Sequence, residues 1–263
     1  MNAFLVRVGI DSSSTSTSKE GSQGWNAPVD ESSGNFIYVP IPENESSEMR
    51  PGYERAYREL VPVLETFFRR YPSARKELAR FNEKIVHAKM HLDPDFERLT
   101  YGDRELVPAK NGIRKKARGV KLRQQVEPGD LMVFYAGLRS VQNESKLIYS
   151  LIGIFEVEEK VFADSVPRER WHENAHTRRV PKHQDFIFRA KANSSGRLRY
   201  SIPIGGIEER YSRVKKEIHD EWGGLDVKDR YIQRGSPFRF KDSERFYKWF
   251  KEKGIPLIRQ NNP

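Results

Sequence analysis

The sequence predicts an α+β fold, and three observations carry that prediction. Two apolar, β-rich runs at 131–136 and 147–157 are joined by one polar loop. A stretch with helical periodicity precedes them at 53–71, and two more follow, at 207–222 and 243–254. The first run, Leu131-Met132-Val133-Phe134-Tyr135-Ala136, is apolar at every position, the pattern of a strand buried on both faces. It opens on Glu127-Pro128-Gly129-Asp130, where Pro presets φ and Gly supplies the positive φ of a turn. Gly137 and the polar segment Arg139–Lys146 make the return, and Leu147–Val157 is the second strand.

Composition narrows the function classes. The chain has 263 residues, 37% hydrophobic and 32% charged, which suits a soluble protein with a substantial core. We expect a single α+β domain: strands and a substrate loop at 1–52, a helical segment at 53–88, the core at 89–205 and a helical closure at 206–263. No apolar run approaches the ~18 residues that span a bilayer. The opening Met-Asn-Ala-Phe-Leu-Val-Arg-Val is too short and too β-like for a signal peptide, so a cytoplasmic, non-membrane location is expected. Cysteine is absent, which excludes disulfides and thiolate metal sites. Any metal must rest on carboxylates, histidines or phosphates. The net charge of +10 favours a polyanionic partner, and nucleic acid is the commonest.

In chain order, residues 3–10 read as a strand ending at Asp11. The Ser/Thr tract Ser12–Ser18 then runs on to Gly24-Trp25-Asn26-Ala27-Pro28. It is either a loop anchored by Trp25 or a substrate loop in which a carboxylate, hydroxyls and glycines grip a phosphate, sugar or ion. Asn35–Pro42 reads as an edge strand because of its prolines. Tyr53, Tyr57, Leu60, Leu64 and Phe67 recur at helical spacing, with Pro62 expected to kink or divide the helix and Ser73 to cap a short one through Phe81. That aromatic stripe is packing.

The segment His91-Leu92-Asp93-Pro94-Asp95-Phe96, followed by Leu99-Thr100-Tyr101-Gly102-Asp103, is denser in chemistry. Clustered carboxylates suit Mg²⁺ or Ca²⁺ or acid–base work, and equally they suit turns capped by Asp side chains. The run 107–126 holds seven bases and no acid, among them Lys110, Arg114, Lys115, Lys116 and Arg118. It reads as a solvated face or as a ribbon laid along phosphates. Trp171-His172-Glu173-Asn174-Ala175-His176 places two histidines at i, i+4 without the HExxH zinc motif, so a polar pocket rim around Asn174 is the alternative to a metal site. Arg178 and Arg179 begin a second basic stretch, 178–199, in which Asp185 is the one acid and Phe186-Ile187-Phe188 a strand. Ile207, Tyr211, Val214, Ile218 and Trp222 make a helical stripe ended by Gly223-Gly224. Ser243 caps a last amphipathic helix with Phe246, Trp249 and Phe250 inward and Gly254 at its end.

Two resemblances follow from these residues. The turn "PGD", the strand ending "FYAGL" and the strand "IGIFEV" resemble the central signature of EVE, ASCH and PUA-like β-barrels. This implies a mixed PUA-like β-barrel flanked by N- and C-terminal helices, with a modified or flipped base held in a pocket. The combination "RVGIDS", "GWNAPV", "FIYVPIPE", "HLDPDFERLTYGD" and "PGDLMVFYAGL" resembles the third of the nucleotide-modification-associated domain families. The matching positions are Asp11, Trp25, Asn26, Pro28, Tyr38, Asp95, Thr100, Tyr101, Gly102 and Asp103. That family occurs in prokaryotic and phage gene neighbourhoods that make or handle modified DNA bases, which implies DNA, modified nucleotides and other enzymes of the pathway as partners.

Three readings stand at this point. In the first, a modified base stacks on Tyr101, Tyr135 or Trp25 and is read by Asp103, Asn26, Asn174 or Thr100, with Lys110, Arg114, Lys115, Lys116, Arg118, Arg178 and Arg179 on phosphates. In the second, the chain is an enzyme in which Asp11, Asp95 and Asp103 supply a general base or a metal site and His91 or His176 shuttles a proton, Mg²⁺ being the cofactor such acids suggest. In the third it is a basic scaffold for another activity.

Overall fold

The two apolar runs become the pair of strands on which the sheet is built, and burial on both faces accounts for their composition. The computed structural model describes residues 1–10, 25–44, 46–104, 106–107, 115–116, 118–182, 184–232 and 237–263, with 106–107, 115–116 and 118 given by backbone alone. In chain order the strands are β1 (Ala3–Arg7), β2 (Pro28–Val29), β3 (Ile41–Pro42), β4 (Met90–His91), β5 (Thr100–Arg104), β6 (Leu106–Val107), β7 (Lys115–Lys116), β8 (Leu131–Ser140), β9 (Leu147–Phe162), β10 (Asp185–Ala190), β11 (Gly196–Glu208), β12 (Tyr211–Val214), β13 (Phe238–Arg239) and β14 (Leu257–Ile258). The helices are α1 (Val61–Arg69), α2 (Arg75–Lys84), α3 (Arg118–Gln125), α4 (Ala175–Arg178), α5 (Lys216–Glu221) and α6 (Ser243–Glu252).

β8 pairs antiparallel with β9 and parallel with β1, and the main path of the sheet runs β12-β11-β9-β8-β1-β13. Alternation along β8 sends Met132, Phe134, Ala136 and Leu138 into one core and Leu131, Val133 and Tyr135 into the other. β1 divides the same way, Phe4 and Val6 against Ala3 and Leu5. The first core is covered by α1 and α2 through Leu64, Phe67, Phe68 and Phe81. The second is covered by α6 through Phe246, Trp249 and Phe250, packed on Trp222. Between Phe134↔Gly153 and Tyr135↔Leu151 the register shifts, leaving Ile152 as a bulge. The bulge lets Ile152 point into the first core and Ile154 into the second.

Several sequence expectations are corrected. Among the described residues no pairing joins β12 to β13, so the sheet is open and the expected barrel closure is not observed. The parallel β1–β8 pairing puts β13 at one edge, and a helix, α6, covers the face that a closing strand would have enclosed. The stripe from Ile207 to Trp222 is a β-hairpin followed by a single short helix. Its turn is made by Glu209 and Arg210, both at positive φ (48° and 72°), which non-glycine residues seldom adopt. The stretch is divided at Pro62, as one of the two expectations had it: a 3-10 turn, Tyr57–Leu60, gives way to α1, and Pro62 sits in the first turn of α1, where its missing N–H costs nothing. Ser73 does not cap α2, whose N-cap is Ala74. The i, i+4 spacing of His172 and His176 does not put them on one helix face, because Asn174 (φ −148°, ψ 158°) separates the 3-10 turn that carries His172 from α4, which carries His176. The last helix forms with the inward face and the stop before Gly254 (φ 61°) that were expected, but its N-cap is Asp242, which accepts from the Arg245 N–H, and Ser243 is its first residue.

Candidate active site

The chemistry gathers where β3, β4, β5 and α4 meet beside the end of β1. β4 pairs antiparallel with β3, setting His91 opposite Ile41 and next to Glu43. The following loop carries Asp93, and β5 returns antiparallel to β10, with Asp103 opposite Phe186 and Arg104 opposite Asp185. Asn174 caps α4 by accepting from the His176 N–H at 2.9 Å and thereby places the His176 ring. Gly102 is required here: a Cβ at this position would lie 2.4 Å from His176 Cδ2 and 2.6 Å from Asn174 Oδ1.

These side chains form one buried polar network. The His91 Nδ1–H donates to Glu43 Oε2 at 2.7 Å. His176 Nδ1 stands 3.2 Å from Asp185 Oδ2 and 2.9 Å from Arg179 Nη2. Arg179 bridges the two acids, 3.1 Å to Glu43 and 2.8 Å to Asp185. Asp93 Oδ1 accepts from the Gly102 N–H at 2.8 Å and from Asn174 Nδ2 at 3.0 Å. Asp93 Oδ2 turns the other way, towards His91 Nε2 at 4.0 Å and His176 Nε2 at 3.9 Å. The two imidazole rings meet edge to face with centroids 4.9 Å apart. Among the described residues, His91, Asp93 and His176 form the group whose donor atoms converge as metal ligands do, all within 4.8 Å of one another.

A cavity of about 210 Å³ opens on this group, walled by Arg7, Asn44, Tyr101, Asp103 and Arg104 as well as by the histidines. Tyr101 donates its hydroxyl to Asp103 at 3.1 Å. Burial pushes the Asp93 carboxyl up to about 6 against the charge of His91, and burial with the Arg179 charge pulls His176 down to about 4. Burial alone would raise Glu43 and Asp185. The hydrogen bonds and charges of His91 and Arg179 hold Glu43 below the usual carboxylate range, and those of His176 and Arg179 do the same for Asp185.

A family model described as nucleotide modification associated domain 3 matches residues 2–253. The chain belongs to that family. No curated protein and no solved structure matches it. No described helix is long and apolar enough to cross a membrane.

In this family member the site residues expected from sequence fall into three groups. His91, His176, Tyr101, Asp103 and Arg179 line the cavity, and Asn174 supports it from behind. The others that are described build structure around it. Asp95 binds Arg178 Nη2 at 2.5 Å, accepts from Asn261 Nδ2 and closes the turn through the Glu97 and Arg98 N–H groups. Arg178 and Arg179 are buried on acids of the chain rather than facing solvent. Thr100 donates to the Glu173 carbonyl, Trp25 donates to the Glu77 carbonyl and packs on Phe81, and Tyr135 packs against Tyr149 in the second core. Asn26 links the Gly137 carbonyl to Arg139. Lys115 and Lys116 form β7 and Arg118 begins α3. Asp11, Lys110 and Arg114 lie outside the described residues. The site residues not singled out from sequence are Asp93, Glu43, Asp185, Arg7 and Arg104. The spacing His91-x-Asp93 and the lone acid Asp185 in a basic stretch were the available signals.

Proposed function

We propose that the chain is an enzyme of a base-modification system and that the cavity at His91, Asp93 and His176 takes a nucleotide and processes it. Family membership links the chain to nucleotide modification. The observation that carries the enzymatic reading is the pair of buried groups, Asp93 and His176, whose environments move them in opposite directions within one cavity. Burial reverses the usual order, with Asp93 at about 6 holding its proton more readily than His176 at about 4, and such environment-set differences are how a site assigns acid and base roles. The cavity lies below the ~300–1,000 Å³ typical of pockets for drug-sized ligands, which suits one base or one sugar–phosphate unit. Arg104 on its wall supplies positive charge for a phosphate, and the net charge of +10 favours approach to a polyanion.

The test is to incubate the protein with free nucleotides and with single- and double-stranded DNA, unmodified and carrying modified bases, and to read nucleoside masses. A changed mass that is lost in Asp103→Asn supports the reading. Tight, modification-dependent binding with unchanged nucleosides makes the chain a reader instead. Binding that ignores modification and vanishes with salt leaves only a basic surface.

A further inference from the structure

We infer that His91, Asp93 and His176 bind one divalent transition-metal ion, with Glu43 and Asp185 as its outer-sphere carboxylates. The inference goes beyond the nucleotide reading and does not depend on it; with an ion bound, Asp93 and His176 serve as its ligands rather than as a free acid and base.

The geometry carries it in four ways. First, the two Nε2–Oδ2 separations, 4.0 and 3.9 Å, are too long for hydrogen bonds. Ligand atoms around a tetrahedral ion with bonds of ~2.1 Å stand ~3.4 Å apart, so binding would draw each Nε2 towards Asp93 Oδ2 by roughly half an ångström. Second, Nδ1 of His91 donates to Glu43 at 2.7 Å, while Nδ1 of His176 accepts from Arg179 Nη2 at 2.9 Å and has Asp185 Oδ2 3.2 Å away, the carboxylate that would take an Nδ1 proton once Nε2 ligates. A proton on Nδ1 leaves Nε2 as the lone-pair donor, and this carboxylate–imidazole arrangement is the usual outer shell of a ligating histidine. Third, Asp93 is held from behind by Gly102 and Asn174, which fixes one oxygen and frees the other to ligate. Fourth, the group opens on the cavity, so a bound ion keeps positions for water or substrate.

Two imidazoles and one carboxylate are donors of the class that takes Zn²⁺, Fe²⁺, Co²⁺ or Mn²⁺. Mg²⁺ and Ca²⁺ prefer all-oxygen sites, so the Mg²⁺ suggested by the acids in the sequence is the poorer fit.

The experiment titrates the full chain, free of nucleotide, with Zn²⁺ and with Co²⁺, reading stoichiometry by calorimetry and ligation by the visible bands and shifted imidazole resonances of the Co²⁺ form. We expect one ion per chain, two imidazoles shifted and no competition from equimolar Mg²⁺. Asp93→Asn, which keeps an acceptor for Gly102, should weaken binding at least tenfold. Glu43→Gln and Asp185→Asn should each weaken it by ~10–100-fold. Circular dichroism and thermal melting check that each variant is folded, and the imidazole shifts in the unsubstituted chain stand whatever the variants do. No stoichiometric ion, or an ion bound equally by Asp93→Asn with no imidazole shifted, overturns the inference. Because no nucleotide is present, either failure leaves the nucleotide-processing reading to its own mass measurement.

Discussion

Gly102 and His176 approach so closely that any side-chain carbon at residue 102 would stand 2.4 Å from the imidazole. Gly102→Ala therefore has to push His176 or Asn174 out of place. The expected result is a folded protein destabilised by ~1–3 kcal/mol, the usual cost of overpacking. Its His176 resonances should be displaced and its activity in the nucleoside-mass assay lost. Urea titration and the NMR spectrum check both halves.

Asp95 and Arg178 form a buried pair, each nearly inaccessible to solvent. Asp95→Asn leaves the Arg178 charge in the interior without its counter-ion. Removal of one partner of a buried pair costs ~3–5 kcal/mol. Chemical denaturation should show that loss, and the equivalent change at a surface pair such as Arg55–Glu59 should cost less than ~1 kcal/mol.

Asp30, the residue after β2, accepts hydrogen bonds from Ser32, Ser33, Tyr71 and Gln142. Burial would raise its carboxyl, but those hydrogen bonds outweigh burial and hold it well below its usual 3.8. A carboxyl depressed in the folded state adds stability that is fully present above its unfolded value and is lost as the pH falls through the folded one. Asp30→Asn should thus cost ~2 kcal/mol at pH 7, the scale of hydrogen bonds to a charged group, and progressively less below about pH 4. Urea unfolding of both proteins at pH 7 and pH 3.5 measures the difference.

Arg104 lies on the cavity wall, 3.8 Å from Asp185 Oδ1 and opposite it across the β5–β10 ladder. Arg104→Gln should weaken nucleotide binding by about tenfold, a loss of ~1.4 kcal/mol. The salt dependence of binding should become shallower by the loss of one phosphate contact. Affinities measured from low to physiological salt decide it.

How much of this was legible in the sequence depended on whether local pattern and tertiary structure agreed. β8, β9 and α6 were legible because the residues that define them, from Leu131 to Ala136 and Phe246 to Phe250, are buried in the period their own backbone imposes. The stripe from Ile207 to Trp222 has helical spacing by accident, since a turn at Glu209-Arg210 with no glycine interrupts it. His91, Asp93, Tyr101 and Asp103 are close in sequence, and that density was visible. Their reorganisation into a site was not, because Glu43 and Asp185 are brought in by the β3–β4 and β5–β10 pairings from far along the chain, and Asp95 is drawn away to Arg178.

The pairing of β1 sets a condition on how the protein is made. Asn2 hydrogen-bonds Asp130, 128 residues away, and the Ala3 N–H donates to Ser243 Oγ across 240 residues. During synthesis the apolar strand Ala3–Arg7 therefore emerges from the ribosome long before either neighbour exists, and it waits with both edges open. Sheets closed by such distant segments fold slowly and expose sticky intermediates. Soluble yield should rise when translation is slowed or a holdase chaperone is supplied, and the nucleotide cavity, whose wall includes Arg7 at the end of that strand, can be complete only after β8 has left the ribosome.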